Sequence, residues 1–181
     1  MQFSTIVFIV LSIVNLSLAS KCPTIVTQKD FDVTKYVGLW YEAYRSDIIF
    51  EVGSRCVNAT YTPNSDGSVA VWNQAVNILG DYTSIRGTAR VKNASEPAAF
   101  VVTFDSPLQK GDYNVLTSNY VDYSLVYACT NVPVLDIKLE FIWLLSRTKT
   151  MSPTVVNELK KILSNMGADV DKVTQTVQNC Q

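Results

Sequence analysis

The 181-residue sequence contains no histidine. That absence excludes Ser-His-Asp and Cys-His catalysis, and any metal site with an imidazole ligand. Cysteine is scarce: four residues, at 22, 56, 129 and 180, with no Cys-x-x-Cys spacing. A zinc ribbon or a redox dithiol is therefore not expected. Charge is also sparse, at 17% of residues with a net charge of −1 and no basic run. Nucleic-acid surfaces need clustered Lys and Arg, so no nucleic-acid partner is expected. Repeats, low-complexity tracts and linkers are missing. No apolar run reaches the roughly 20 residues that span a bilayer.

The longest apolar run, Ile6–Leu18, is broken only by Ser12, Asn15 and Ser17, and no charged side chain precedes Lys21. Ser17-Leu18-Ala19 offers the small-x-small pattern of a signal-peptidase site. Residues 1–19 are thus expected to be a removed secretory signal, with a membrane anchor as the other reading. The remainder, 20–181, reads as a single domain that can build one good core. Four widely spaced cysteines in a secreted, extracellular chain predict two disulfides, in any of three pairings. Closing loops of around 100 residues removes about 4–5 kcal/mol of unfolded-state entropy per bridge. Paired thiols leave no thiolate nucleophile.

From Gly38 to Arg147 the pattern is strand after strand. The turn Asn64-Ser65-Asp66-Gly67 separates Cys56–Thr62 from Ser68–Leu79, and Gly80-Asp81 precedes Tyr82–Lys92. Alternation is clear in the last of these: Ile85, Gly87, Ala89 and Val91 against Ser84, Arg86, Thr88, Arg90 and Lys92. One face is buried and one wet, as in an antiparallel sheet. Ala98–Phe104, Tyr113–Ser118, Tyr123–Cys129 and Ile137–Arg147 follow. Eight evenly spaced strands predict an all-β, antiparallel up-and-down barrel, or else a sandwich.

Ser152-Pro153 then supplies a helix N-cap and an N1 proline. Val155, Leu159, Ile162, Leu163 and Met166 form a helical stripe, and Gly167 is the stop. One helix cannot build a second core, so it should lie on the outside of the barrel. Ile142 and Leu144, apolar on the otherwise polar face of the last strand, are the expected landing site. An extended segment, Val170–Val177, leads to Cys180. Sequons occur at Asn58 and Asn93, the latter in a loop, so both are candidate glycosylation sites.

The first strand opens on Gly38-Leu39-Trp40-Tyr41-Glu42 after a short polar turn, Asp32–Val37. Gly-x-Trp there, eight strands and one helix together resemble the lipocalin family. Two further stretches carry the likeness. Tyr120-Val121-Asp122-Tyr123-Ser124-Leu125-Val126-Tyr127 looks like the family's second signature, with Ser118-Asn119 where Thr-Asp is usual. Trp143-Leu144-Leu145-Ser146-Arg147 looks like the third. The stretches Lys21-Cys22-Pro23, Phe31-Asp32-Val33, Arg55-Cys56 and Asn179-Cys180 are similar to the apolipoprotein D and insect Lazarillo-type branch.

That resemblance implies disulfides Cys22–Cys129 and Cys56–Cys180. It implies a one-ended cup with Trp40 and Arg147 packed together as its floor, a cation–π pair that also joins first strand to last. The cup would bind a small hydrophobic ligand such as a fatty acid, retinoid, sterol or bilin. Strand parity puts Ile85, Ala89, Phe100, Val102, Phe104, Phe141 and Trp143 inside, and the resemblance adds Tyr61 and Asn73. The candidate ligand-binding set is Tyr61, Asn73, Phe100, Phe141 and Trp143. Ordinary barrel filling is the other reading of each aromatic. Trp72 fits either face. Glu42 and Tyr44 share Trp40's parity and are expected to point inward. Ile48-Ile49-Phe50 follows the first strand at the open mouth. These three suggest a lid or a peripheral contact with membrane or lipoprotein, unless they pack inward over the rim. No cofactor, metal site or catalytic residue is expected. A secreted protein-interaction domain that binds partners by its loops is the second function considered. A lipid-modifying enzyme is the third; without His or free Cys it would have only carboxylates and tyrosines to work with.

Overall fold

The turn at Asn64–Gly67 shows how the sheet is built. The Ser68 N–H and hydroxyl donate to Asp66 Oδ1 at 3.0 and 2.6 Å, and Asn64 Nδ2 donates to Ser68 Oγ at 2.9 Å. Gly67 takes a φ of 81°, a left-handed conformation that costs glycine little. The strands on either side, β2 (Arg55–Pro63) and β3 (Val69–Val76), then pair from Pro63↔Val69 to Arg55↔Val76. The computed structural model describes residues 21–105 and 110–180. The expected signal segment 1–19 lies outside them.

β1 (Gly38–Arg45) precedes that hairpin, and β4 (Tyr82–Val91), β5 (Ala99–Phe104), β6 (Lys110–Ser118), β7 (Tyr123–Val132) and β8 (Ile137–Ser146) follow it. Each strand pairs antiparallel with the next. β1 pairs with both β2 and β8, which closes an eight-stranded up-and-down barrel. A two-residue strand, β9 (Thr174–Gln175), adds to the far end of β1. Asp32 caps a one-turn helix, α1 (Val33–Tyr36), where a turn is expected from the sequence. Gly38, at φ 96°, redirects the chain from α1 into β1.

The helix α2 (Pro153–Asn165) starts where Ser152-Pro153 predicts, with Ser152 Oγ accepting from the Val155 N–H at 3.3 Å. Its buried residues are Val156, Leu159 and Leu163, and Ile162 is 40% exposed. Val155, Leu159, Leu163 and Met166 of the expected stripe do pack against the barrel; the difference lies at its edges, where Val156 is buried and Ile162 is not. The helix lands on Ile142 and Leu144 as expected, with Leu125 and Tyr127 beside them. Burying a Leu or Ile side chain is worth about 1.5–3 kcal/mol, enough to hold so short a helix that would be marginal alone. After it, Val170–Lys172 forms a 3-10 turn, so the expected extended segment begins only at Val173.

One expectation fails in β1. Tyr44 packs in the outer cluster under the helix, and does not point into the barrel. The register against β8 shifts between Glu42 and Tyr44, so a bulge at Ala43 inverts the facing of everything beyond it. Glu42 faces Leu145, an interior residue, and Arg45 faces Trp143.

Candidate functional site: the barrel interior

At the closed end, Trp40 is fully buried, and its Nε1 donates to the Tyr36 carbonyl at 2.7 Å. The Arg147 guanidinium carbon lies 3.7 Å from the centre of the Trp40 ring. Its nitrogens donate to the carbonyls of Tyr120, Leu39, Lys35, Tyr36 and Val37. Trp40 and Arg147 are therefore taken up by the floor itself.

Above the floor, three phenols and a serine form a chain. Tyr61 Oη lies 2.9 Å from Tyr113 Oη, which lies 2.7 Å from Tyr36 Oη, which lies 2.9 Å from Ser124 Oγ. Burial pushes the Tyr36 phenol up to about 12 and those of Tyr61 and Tyr113 well above the usual range. Tyr61 is thus in the interior, its hydroxyl paired with Tyr113. Phe100 packs here too, edge-on to Phe31 at 5.8 Å.

Higher up, Asn73 sits between Ala59 and Ile85 on the same face as the core residues Val69 and Val71. Its Oδ1 is buried and accepts no hydrogen bond. A buried amide oxygen without a donor is costly, so this atom is the polar feature of the wall best placed to meet a bound molecule. Trp72 takes the opposite face, where Arg86 covers its ring at 4.6 Å. Ala89 and Val102 are buried in the interior cluster, against which Phe104 and Trp143 pack half-buried.

At the mouth, Phe141 stacks on Trp143 with ring centroids 6.2 Å apart and planes 20° from parallel. Phe50 approaches Phe141 at 5.8 Å from the 3-10 turn Ile49–Glu51. Of the three apolar residues expected at this rim, Ile48 is buried and unavailable for an outside contact; its neighbours Ile49 and Phe50 are exposed at 84% and 64%. Ile48 precedes the turn and is covered, whereas the next two side chains, on the turn itself, are exposed.

A charged cluster lies under this turn that periodicity did not predict. Arg45 Nη1 donates to Glu42 Oε1 at 2.7 Å and reaches Glu51 Oε2 at 3.6 Å. Its Nη2 donates to the carbonyls of Glu51 and Ser54 at 2.9 and 3.0 Å. Burial, and the neighbouring Glu42 carboxylate, push the Glu51 carboxyl up to about 8. Glu42, for which the sequence suggests no partner, also accepts from the Thr176 hydroxyl at 2.7 Å. Arg45 was hidden by the bulge, and Glu51 by the turn. Tyr36 and Tyr113 gave no signal beyond being tyrosines.

The cysteines pair as Cys22–Cys129 and Cys56–Cys180, and no free cysteine occurs among the described residues. Of the two sequons, Asn93 is exposed between β4 and β5 with its Oδ1 bonded to Ser95, whereas Asn58 is half-buried in β2. Among the described residues no group of His, Cys, Asp and Glu could hold a metal ion, and no helix is long and apolar enough to cross a membrane.

Residues 31–178 match the family described as a lipocalin-like domain. The chain is 37% identical to mouse apolipoprotein D over 161 residues, covering 88% of this chain and 84% of that one. It is 30% identical over 156 residues to the Lazarillo protein of Schistocerca americana, covering 84% and 72%. Among solved structures, insecticyanin from the tobacco hornworm Manduca sexta superposes with a TM-score of 0.77 at 22% identity, over 86% and 85% of the two chains. Closed barrel, Trp–Arg floor, outer helix and these matches agree: the chain belongs to the lipocalin family.

Proposed function

We propose that this protein is a secreted carrier that holds a small hydrophobic ligand, non-covalently, inside its barrel. Members of the lipocalin family bind small hydrophobic ligands. The observation that carries the reading is the wall running from Phe100 past Asn73 to Phe141 and Trp143. It is largely apolar and aromatic, and carries a buried acceptor, Asn73 Oδ1, that no group of the protein satisfies. Ligand sites have this make-up: apolar lining and a few fixed polar groups. Tyr61, Asn73, Phe100, Phe141 and Trp143 are the proposed contacts. Asn73 favours a ligand with a hydroxyl or N–H to donate; a sterol, a retinoid alcohol and a bilin all qualify, and a fatty acid would use the apolar wall alone. No bond is made or broken, which suits a chain without histidine or free thiol. Residues 1–19 would direct export, and two disulfides suit an oxidising compartment.

Extraction of natively purified protein with organic solvent, followed by mass spectrometry, tests this. A bound lipid or pigment is expected, as is quenching of Trp fluorescence by added retinoid or fatty acid at micromolar concentration. No extractable ligand and no quenching across a lipid panel would sink the carrier reading. Asn73→Leu should lower affinity for an alcohol about tenfold while sparing the matched hydrocarbon.

A second reading concerns the rim. Ile49, Phe50, Val52, Ile78, Leu79, Val134 and Leu135 are exposed in the β1–β2, β3–β4 and β7–β8 connections, all at one end of an up-and-down barrel. Exposed apolar surface of this kind suits contact with a membrane or lipoprotein surface, from which ligand could be taken up. Flotation with neutral lipid vesicles tests it: Ile49→Ser with Phe50→Ser should abolish co-flotation. Equal flotation of the variant would remove the reading.

A further inference from the structure

We propose that Glu51 keeps its proton beside Glu42, and that this proton latches the Ile49–Glu51 turn across the mouth of the barrel. The geometry runs as a count of donors. Arg45 spends Nη1 on Glu42 and Nη2 on the carbonyls of Glu51 and Ser54. At 3.6 Å, Glu51 Oε2 is beyond its hydrogen-bond reach. No other group donates to that oxygen, and it is buried. An ionised Oε2 in such a place lacks a donor, and the single guanidinium 3.6 Å away is already matched by Glu42. A carboxylic acid avoids both costs. Its O–H can donate to the Glu42 carboxylate against which it packs, and the cluster becomes neutral overall. Glu42 opposes the ionisation of Glu51, whereas Arg45 and the Trp143 N–H favour it; burial together with Glu42 outweighs both. The high affinity of Glu51 for its proton follows from burial and from Glu42.

The proton is mechanically coupled to the mouth because of where Glu51 sits. It ends the turn that carries Ile49 and Phe50, and Arg45 grips the same turn by its backbone. Ile48, buried, anchors one side; Gly53, at φ 72°, follows on the other. Removal of the proton puts two carboxylates beside one guanidinium. Moving Glu51 out to water relieves that repulsion, and it carries Phe50 off Phe141. The cup is therefore closed in acid and at neutral pH and opens at mildly alkaline pH. The effect on ligand entry rests on the carrier reading; the latch does not.

Ligand-free protein tests the latch directly. Its infrared spectrum at neutral pH should show the C=O band of one carboxylic acid, and its Trp143 fluorescence should change in a single-proton step near pH 8. Both features should be missing in Glu51→Gln, which holds the uncharged state. Entry of a fluorescent fatty acid should speed up at least about fivefold across the step in the natural protein and stay slow in Glu51→Gln. The absence of the acid band, a fluorescence step that survives in Glu51→Gln, or ligand entry that ignores the step would each overturn the proposal. The infrared band needs no variant, so a misfolded Glu51→Gln leaves the test standing. A clear step in a protein that takes up no lipid would keep the latch and remove the carrier; pH-independent uptake without a step would do the reverse.

Discussion

The Arg147 guanidinium stacks on Trp40 at 3.7 Å and donates to five backbone carbonyls between Lys35 and Tyr120. One side chain thus ties α1, β1, the β6–β7 turn and the end of β8 together at the closed end. Lysine keeps the charge but cannot supply a planar fork of donors. Arg147→Lys should therefore lose about 2–4 kcal/mol of stability, read from urea unfolding. Ligand affinity should not change, since the pair lies below the cup.

The disulfides enclose loops of similar length, with separations of 107 and 124 residues. Chain entropy alone predicts that removing either costs nearly the same, to within about 0.1 kcal/mol. Cys56–Cys180 has a second duty, since it pins the segment that hydrogen-bonds to β1 and β2. The Cys56→Ser, Cys180→Ser double variant should lose more stability than Cys22→Ser, Cys129→Ser, within the usual 2–5 kcal/mol for a native bridge. Equal urea midpoints would remove that duty.

Four of the nine tyrosines hold their protons unusually tightly: Tyr36, Tyr61, Tyr113 and Tyr127. For the first three, burial is the main cause; for Tyr127 it is joined by the Glu140 carboxylate 2.6 Å from its hydroxyl. Their folded values lie above the unfolded value of 10, so the folded state binds more protons above pH 10 and stability falls there. Their full contribution is present below pH 10 and is lost as pH rises through about 12 for Tyr36. Absorbance titration should show these four ionising only as the barrel unfolds. Ionisation of Tyr36, Tyr61 or Tyr113 while the fold is intact would contradict the buried phenol chain.

On the outer face, Leu159→Ala should cost about 2–5 kcal/mol, because it opens a cavity between α2 and Ile142 and Leu144. Ile162→Ala, one helical step round, should cost about 0.5 kcal/mol. Thermal or urea unfolding of the two variants checks which stripe carries the helix.

β4 and β8 run without a bulge of their own, so the facing of Ala89, Phe141 and Trp143 could be read by parity. The start of α2 was legible for an equally local reason, the Ser152-Pro153 cap. Its face was nearly so: of positions 155, 159, 162, 163 and 166 only Ile162 turns outward, and the sheet decides that Val156 and not Ile162 completes the edge. Tyr44 was misplaced because parity fails across a bulge, and a bulge has no signature in this stretch. Arg45 and Glu51 escaped for related reasons, one lying beyond the bulge and the other on a 3-10 turn with no periodicity of its own. The tyrosine chain joins residues 77 positions apart, and nothing local in either neighbourhood announces the other.

The seam of the barrel sets the order in which it can be made. β1 pairs with β2 only from Gly38 to Tyr41; beyond the bulge its edge is taken by Thr174–Gln175, and Thr176 reaches back across 134 positions to Glu42. The eight strands can close once β8, which ends at Ser146, has been made, but the edge of β1 beyond the bulge stays unfilled and Cys56 unpaired until residues 174–180 follow. Until then that stretch of β1 is an open strand edge that a chaperone, or another copy, could occupy.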